Sequence, residues 1–176
     1  MEYKILPLTV ADIPEIFLLS SKIVGKDFPE YSPEVAKIYS EDYFSKNHYE
    51  KILKDDTNCI LGVKDKGKII AIIVLKGEYG GVLFIDLLAV EEKHRDNGIG
   101  LKLLQEAENW ALGHKYHYLW LFTESGKNIE FYKHRGFTHI GVHKGAWFGA
   151  DEHILSKQLR KKPFPEVFSN YPRYLD

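Results

Sequence analysis

Cysteine is nearly missing from this sequence: Cys59 is the only one in 176 residues. A lone thiol excludes an internal disulfide framework and fits a reducing compartment. Within a strand pattern it reads as a small core residue rather than an acyl acceptor. Net charge is nearly missing too, at -1. No global basic field recommends nucleic acid as the main partner. No uninterrupted apolar run is long enough to cross a bilayer. The opening MEYKILPLTVADIPEI lacks the apolar core of a signal peptide. These absences predict a cytoplasmic protein with neither membrane nor nucleic-acid partner. His114-x-x-His117 spans a helix end, and alternation puts His139 and His143 on one strand face. Neither pair comes with the carboxylates or cysteines of a metal site, so no metal is expected.

What is present reads as one globular domain, with 44% hydrophobic and 28% charged residues. Aromatics reach 14%, with eleven tyrosines, which suits a dense core, an aromatic pocket or an interface. A short strand over Glu2–Leu6 precedes a helix capped by Thr9 or Asp12 and ending near Gly25. A second helical region runs from Pro33 to Asp55, with a break near Asn47. The period then changes. Asn58–Lys64 and Ile69–Tyr79 pattern as a hairpin, and Val82–Val90 as an apolar, central strand. An amphipathic helix over Ile99–Leu112 crosses to a parallel strand at Tyr116–Thr123. A short helix (Lys127–Arg135) and a last hairpin (Phe137–Phe148, Glu152–Leu159) follow. This order predicts an α/β fold of the α+β type: a single mixed, mostly antiparallel sheet with helices on both faces. Residues 1–160 form the domain. The aromatic tail 161–176 is expected to pack on it or on a second subunit, so a homodimer is possible.

The chain is organised around Ile85–Leu104, where an apolar strand leads through Arg95-Asp96-Asn97-Gly98-Ile99-Gly100 into a helix. The first N–H groups of a helix have no intrahelical partner and sit at the positive end of its dipole. Gly98 and Gly100 remove side chains that would hold a pyrophosphate away, and Arg95 adds a permanent cation. A dinucleotide fingerprint requires a third glycine, and a Walker loop requires Lys-Ser/Thr after its second. Lys102-Leu103 supplies neither. The turn is therefore shaped for a pyrophosphate without an obvious metal ligand.

These residues resemble the GCN5-related N-acetyltransferases, whose signature is Arg/Gln-x-x-Gly-x-Gly/Ala after the fourth strand. The lead-in Leu88-Ala89-Val90-Glu91-Glu92-Lys93-His94 is similar too, as is Asn128-Ile129-Glu130-Phe131-Tyr132 before Gly136-Phe137. The resemblance spans about residues 2–159. It implies acetyl-CoA as co-substrate. Backbone amides of Arg95, Asp96, Asn97, Gly98, Ile99, Gly100 and Leu101 would hold its diphosphate. Leu88, Ala89 and Val90 would offer main-chain groups to the pantetheine arm, Asn128 would contact that arm, and Tyr132 would protonate the departing thiolate.

Acetyl transfer to an amine needs a proton acceptor, a held carbonyl, an oxyanion donor and an acid for the leaving thiolate. Tyr132 is the acid candidate. Asp86, the one charge inside VLFIDLLAV, is the base candidate, and alternation puts it on one face with Phe84 and Leu88. A structural ion pair explains Asp86 equally well. Glu78 and Glu124 are further carboxylates at strand ends, and Lys93 and Lys102 further cations near the turn. Phe28, Tyr31, Tyr39, Tyr43, Trp147 and Phe148 are candidates for lining an acceptor pocket. The expected function is an N-acetyltransferase acting on a primary amine of a small molecule or peptide. The alternative is an acetyl-CoA-binding sensor or interaction module that does not catalyse transfer.

Overall fold

The computed structural model describes residues 3–27, 31–124, 126–162 and 164–165. The first strand, β1, spans Ile5–Pro7. Thr9 then caps a 3-10 turn: its N–H and hydroxyl both donate to Asp12, at 2.8 and 3.1 Å. The turn feeds α1 (Ile13–Asp27), which buries Ile16, Leu19, Ile23 and Val24. The second helical region forms as α2 (Pro33–Ile38), a π turn (Tyr39–Tyr43) and α3 (Lys46–Leu53), with its break close to the expected place. The division falls at Ser45, whose hydroxyl accepts from the His48 N–H at 3.2 Å and caps the new helix.

The strands that follow are β2 (Cys59–Asp65), β3 (Lys68–Glu78), β4 (Val82–Val90), β5 (Tyr118–Thr123), β6 (Thr138–Trp147) and β7 (Ala150–Gln158). They build a seven-stranded sheet in the order β1-β2-β3-β4-β5-β7-β6. Among the described strands only β4 and β5 run parallel, joined by α4 (Ile99–Gly113); α5 (Gly126–Lys133) links β5 to β6. One core lies between the sheet and α1 and α3. The other holds α4 with Tyr132 of α5. The expected mixed sheet with helices on both faces is what forms. Gly77 marks a close approach: a Cβ there would lie 2.1 Å from the Tyr116 hydroxyl.

Two bulges correct the expected faces. Val74 faces Leu87 and Leu75 faces Ile85, so Asp86 is an extra residue without a partner across the ladder. Leu83 and Ile85 therefore join the α4 core, whereas Leu87 and Ala89 join the α1 core. Leu88 packs toward α4, away from the face of Phe84 and Asp86, where unbroken alternation would put it. The same happens in β6. His139 faces Leu155 and Gly141 faces Ile154, which leaves Ile140 extra. His139 then meets His153 at 3.1 Å, while His143 turns toward Glu152 at 3.7 Å, so the two histidines do not share a face.

The parallel pair is short. β4 and β5 are matched from Val82↔Tyr118 to Phe84↔Trp120, and beyond that point β5 continues only against β7, as far as Thr123↔His153. The two strands part next to the bulge. Of the tail, Phe164 packs against Lys115 and Arg160; positions 163 and 166–176 lie outside the described residues.

Candidate active site

Two cavities open where β4 and β5 part. The outer one, about 1230 Å³, is floored by the start of α4. Gly98 caps that helix with φ of +72°, a left-handed conformation that favours glycine, and Asp96 adopts φ of +61°. The first intrahelical bond from the turn is Lys102 N–H to the Gly98 carbonyl, at 3.1 Å. The amides of Ile99, Gly100 and Leu101 thus have no helical acceptor. A Cβ on Gly100 would make ordinary contacts, 3.7 Å to Val90 and 3.8 Å to Phe131. Packing does not forbid a side chain at Gly100; what a side chain would fill is the groove.

The turn braces itself. Arg95 Nε donates to the Val90 carbonyl at 3.0 Å, and Asn97 Nδ2 donates to the Arg95 carbonyl at 3.0 Å. Leu88, Val90, Arg95, Asp96, Gly98, Ile99, Gly100, Leu101 and Asn128 all line the groove. Ala89 and Asn97 do not. The Ala89 side chain points into the α1 core, and Asn97 is turned back on its own loop. Lys26, His94, Lys127, Phe131 and Arg135 also line the groove and were missed from sequence. Phe131 and Arg135 lie inside the Asn128–Phe137 motif and were within reach; Lys26 arrives from α1 by tertiary packing alone. Arg135 lies with its guanidinium carbon 4.1 Å from the Phe131 ring centroid, and its Nε is buried with no hydrogen-bond partner among the described residues. Free helix amides, an open Gly100 cradle and an orphaned guanidinium nitrogen fit an anionic diphosphate ligand.

The inner cavity, about 300 Å³, shares Leu87, Leu88, Asn128 and Tyr132 with the groove. Asn128 Nδ2 donates to Thr123 Oγ1 at 3.2 Å, tying α5 to the end of β5. Tyr132 is buried, edge-on to Phe131 and Phe137. Burial alone pushes its phenol well above its ordinary value, so it stays protonated. Asp86 reaches the cavity from the bulge with its side chain 1% exposed. Tyr43 Oη lies 2.9 Å from one carboxylate oxygen, His48 Nε2 lies 3.0 Å from the other, and Lys76 Nζ stands at 3.6 Å. Asp86 is therefore built into a hydrogen-bonded network at the cavity wall rather than standing free.

Tyr39, Tyr43 and Trp147 line this cavity as expected. Tyr31 stands behind them, edge-on to Tyr39 at 5.5 Å, with its hydroxyl donating to Glu124 at 2.7 Å. Phe148 is half exposed beside Tyr31, and Phe28 lies outside the described residues. Phe84, Trp120 and Phe122 also form the wall, along with Glu78, Glu124 and Glu152. The alternation of Trp120 and Phe122, with Phe84 paired to Trp120, was the available signal. Desolvation, then nearby carboxylates, pushes the Tyr31, Tyr39 and Tyr43 phenols far up. Among the described residues, no group of three or more His, Cys, Asp or Glu is placed to hold a metal ion. Among them, no helix is long and apolar enough to cross a membrane.

The profile of the acetyltransferase (GNAT) family matches residues 23–137. The chain belongs to this family. GNAT proteins are acetyl-CoA-dependent N-acetyltransferases, and the sheet and its helices are those of the GNAT fold. No curated protein sequence matches the chain. Among solved structures, PaiA N-acetyltransferase from Thermoplasma acidophilum, in complex with coenzyme A, is similar at TM-score 0.77 and 18% identity, covering 90% of this chain and 99% of that one. The ribosomal-protein-S18-alanine N-acetyltransferase of Escherichia coli is similar at 0.71 and 15%, covering 93% and 98%. An aminoglycoside 6'-acetyltransferase type Ii is similar at 0.69 and 19%, covering 91% and 99%. At these identities the likeness carries the fold and leaves the acceptor open.

Proposed function

We propose that this GNAT protein moves the acetyl group of acetyl-CoA directly to a primary amine held in the inner cavity. The observation that carries the reading is the junction: Leu87, Leu88, Asn128 and Tyr132 border both the diphosphate-shaped groove and the acceptor cavity. Acetyl-CoA supplies the activated thioester. The start of α4 and Arg135 hold phosphate charge, and Lys26 and Lys127 add positive potential. The parted edge of β4 at Leu88–Val90 offers main-chain N–H groups to the carbonyl and its developing oxyanion. Asn128 positions the arm. Tyr132, kept protonated by burial, donates a hydrogen bond to the departing thiolate and is the acid candidate for it, although burial makes its phenol a weaker acid. Asp86 keeps Tyr43 and His48 in place, makes the cavity negative, and takes the amine proton through water. A sensor that only bound acetyl-CoA would have no need of an acceptor cavity at that junction, which favours transfer. A cytoplasmic location belongs to the same proposal, supported by the lone, buried thiol of Cys59.

The test is thiol release from acetyl-CoA across a panel of polyamines, amino acids, aminoglycosides and peptide N-termini. Release above background with at least one amine is expected. Tyr132→Phe is expected to lower kcat while leaving CoA affinity nearly unchanged; equal turnover would remove Tyr132 from the acid role.

A further inference from the structure

Asp86 offers the inner cavity one oxygen, and that oxygen is already in use. Oδ1 meets Tyr43 Oη at 2.9 Å and Lys76 Nζ at 3.6 Å, and both of those residues line the cavity. Oδ2 meets His48 Nε2 at 3.0 Å, and His48 is not among the described residues of the lining. The partners therefore sort the two oxygens: Oδ1 faces the acceptor and Oδ2 faces α3. The carboxylate side chain is 1% exposed, so an amine in the cavity meets what covers Oδ1 before it meets Oδ1 itself.

Of the two groups on Oδ1, one can pass a proton on. Lys76 as an ammonium is a donor only and has no lone pair to accept with. The Tyr43 hydroxyl is donor and acceptor at once: its proton is given to Oδ1, and its oxygen can accept from an N–H. Burial, then the Asp86 charge beside it, holds the phenol far above its ordinary value, so Tyr43 stays neutral. A hydroxyl that stays neutral moves a proton only by releasing one as it gains one. The backbone fixes its place. Tyr43 ends the π turn, whose closing bond runs from the Phe44 N–H to the Tyr39 carbonyl at 3.1 Å. Such turns are frequent at functional sites. The rings of Tyr39 and Trp147, both on the cavity lining, flank the Tyr43 ring at 5.1 and 5.7 Å.

We propose that Tyr43 is a catalytic residue of the transfer: its hydroxyl takes the amine proton and hands its own proton to Asp86 Oδ1. The inference rests on the acetyl transfer proposed above. The amine proton, given directly or by the water that carries it, enters the route at Tyr43. The attacking nitrogen loses one proton to Tyr43 Oη, and the phenol proton moves to Asp86. The amide C–N bond forms, the thioester C–S bond breaks, and the CoA sulfur gains a proton from the acid at the junction. Tyr43 ends as it began, and Asp86 holds one proton that returns to solvent after turnover.

The test uses the full chain, acetyl-CoA and the fastest amine of the panel above, with thiol release followed in single turnovers in mixtures of H2O and D2O. Two protons moving together make the parent rate fall along a bowed line as the deuterium fraction rises. Tyr43→Phe is expected to lower the rate by about a hundredfold or more, as loss of acid–base assistance does. It is also expected to straighten the line and to leave CoA affinity unchanged in titration. His48→Phe is the control, because it takes a donor from the same carboxylate on the side away from the cavity. It is expected to lower stability to a like extent but the rate by less than about tenfold, with the line still bowed. A Tyr43→Phe rate within about threefold of the parent, a line still bowed in that variant, or the same rate loss in both variants would overturn the inference while leaving acetyl transfer standing. No release with any amine of the panel would overturn both. The parent decides the matter even where a variant does not fold: a straight line there overturns the inference.

Discussion

Replacing Asp86 with asparagine separates the two roles open to this residue. Its carboxylate is 1% exposed and faces Tyr43 Oη at 2.9 Å and His48 Nε2 at 3.0 Å, on separate oxygens. Hydrogen bonds to a charged group contribute about 1.5–3 kcal/mol each. An amide can keep an acceptor toward one partner and turn its NH2 toward the other, so what is lost is the charge assistance of both bonds and their geometry. Lys76 also loses its carboxylate partner, but its side chain is 34% exposed and the pair stands at 3.6 Å, so solvent screens most of that term. The expected loss is about 2–3 kcal/mol, toward the lower end of the cost of breaking a buried pair. Urea unfolding reads it as a lower midpoint at unchanged slope. Tyr43→Phe alone should cost about 1.5–3 kcal/mol. In the Asp86→Asn background it should cost less, with a coupling of about 1 kcal/mol between the two sites. If Asp86 anchors the wall, stability and acceptor affinity fall together. A stability change below about 0.5 kcal/mol combined with a collapse of kcat by about a hundredfold or more would refute the anchor and restore Asp86 as a direct base.

Gly98→Ala is expected to lower stability by about 1 kcal/mol through its left-handed backbone alone, since a Cβ there meets nothing within 4 Å. Gly100→Ala should leave the melting temperature nearly unchanged and weaken CoA binding, because its Cβ fits the fold but enters the groove; thermal melts and CoA titration check both. The Asp12 carboxyl is held below the ordinary carboxylate range, chiefly by its hydrogen bond from Lys64. A depressed folded value gives stability that is present above the unfolded value and lost as pH falls through the folded one. Asp12→Asn should therefore be less stable than the parent at pH 7, with the gap closing below about pH 4, as seen in urea unfolding across pH. Burial pushes the Cys59 thiol up to about 11, so a thiol reagent at neutral pH should label it only after denaturation.

Most of the fold was legible because its signals are local. The apolar run of β4, the glycine turn and the stripe on α4 fixed the parallel crossover, and Asn128 and Tyr132 fell on the junction of the two cavities. What escaped depends on register. Alternation reads Phe84, Asp86 and Leu88 as one face, and it reads His139 and His143 as another. Each reading failed at a single unmatched residue, Asp86 or Ile140, which shifts every later side chain to the opposite face. The groove cations Lys26 and Arg135 escaped for a different reason: a lysine or arginine has no local pattern that says which surface its helix will face.

The missed bulge is also what joins the two halves of the site. An unbulged β4 would keep Leu88 on the face of Phe84, and it would have no extra residue to bend it where the ladder with β5 ends. The inserted Asp86 changes the strand in three respects at once. It sends a carboxylate into the acceptor cavity, held there by Tyr43 and His48. It turns Leu88 toward α4 and the floor of the groove. It bends the strand at the point where β5 leaves for β7. One added residue thus ties a carboxylate of the inner cavity to the opened strand edge beside the groove. Asp86 thus stands beside the junction of the two cavities, where the proposed transfer would bring amine and acyl donor together, whether or not its carboxylate ever takes the proton directly.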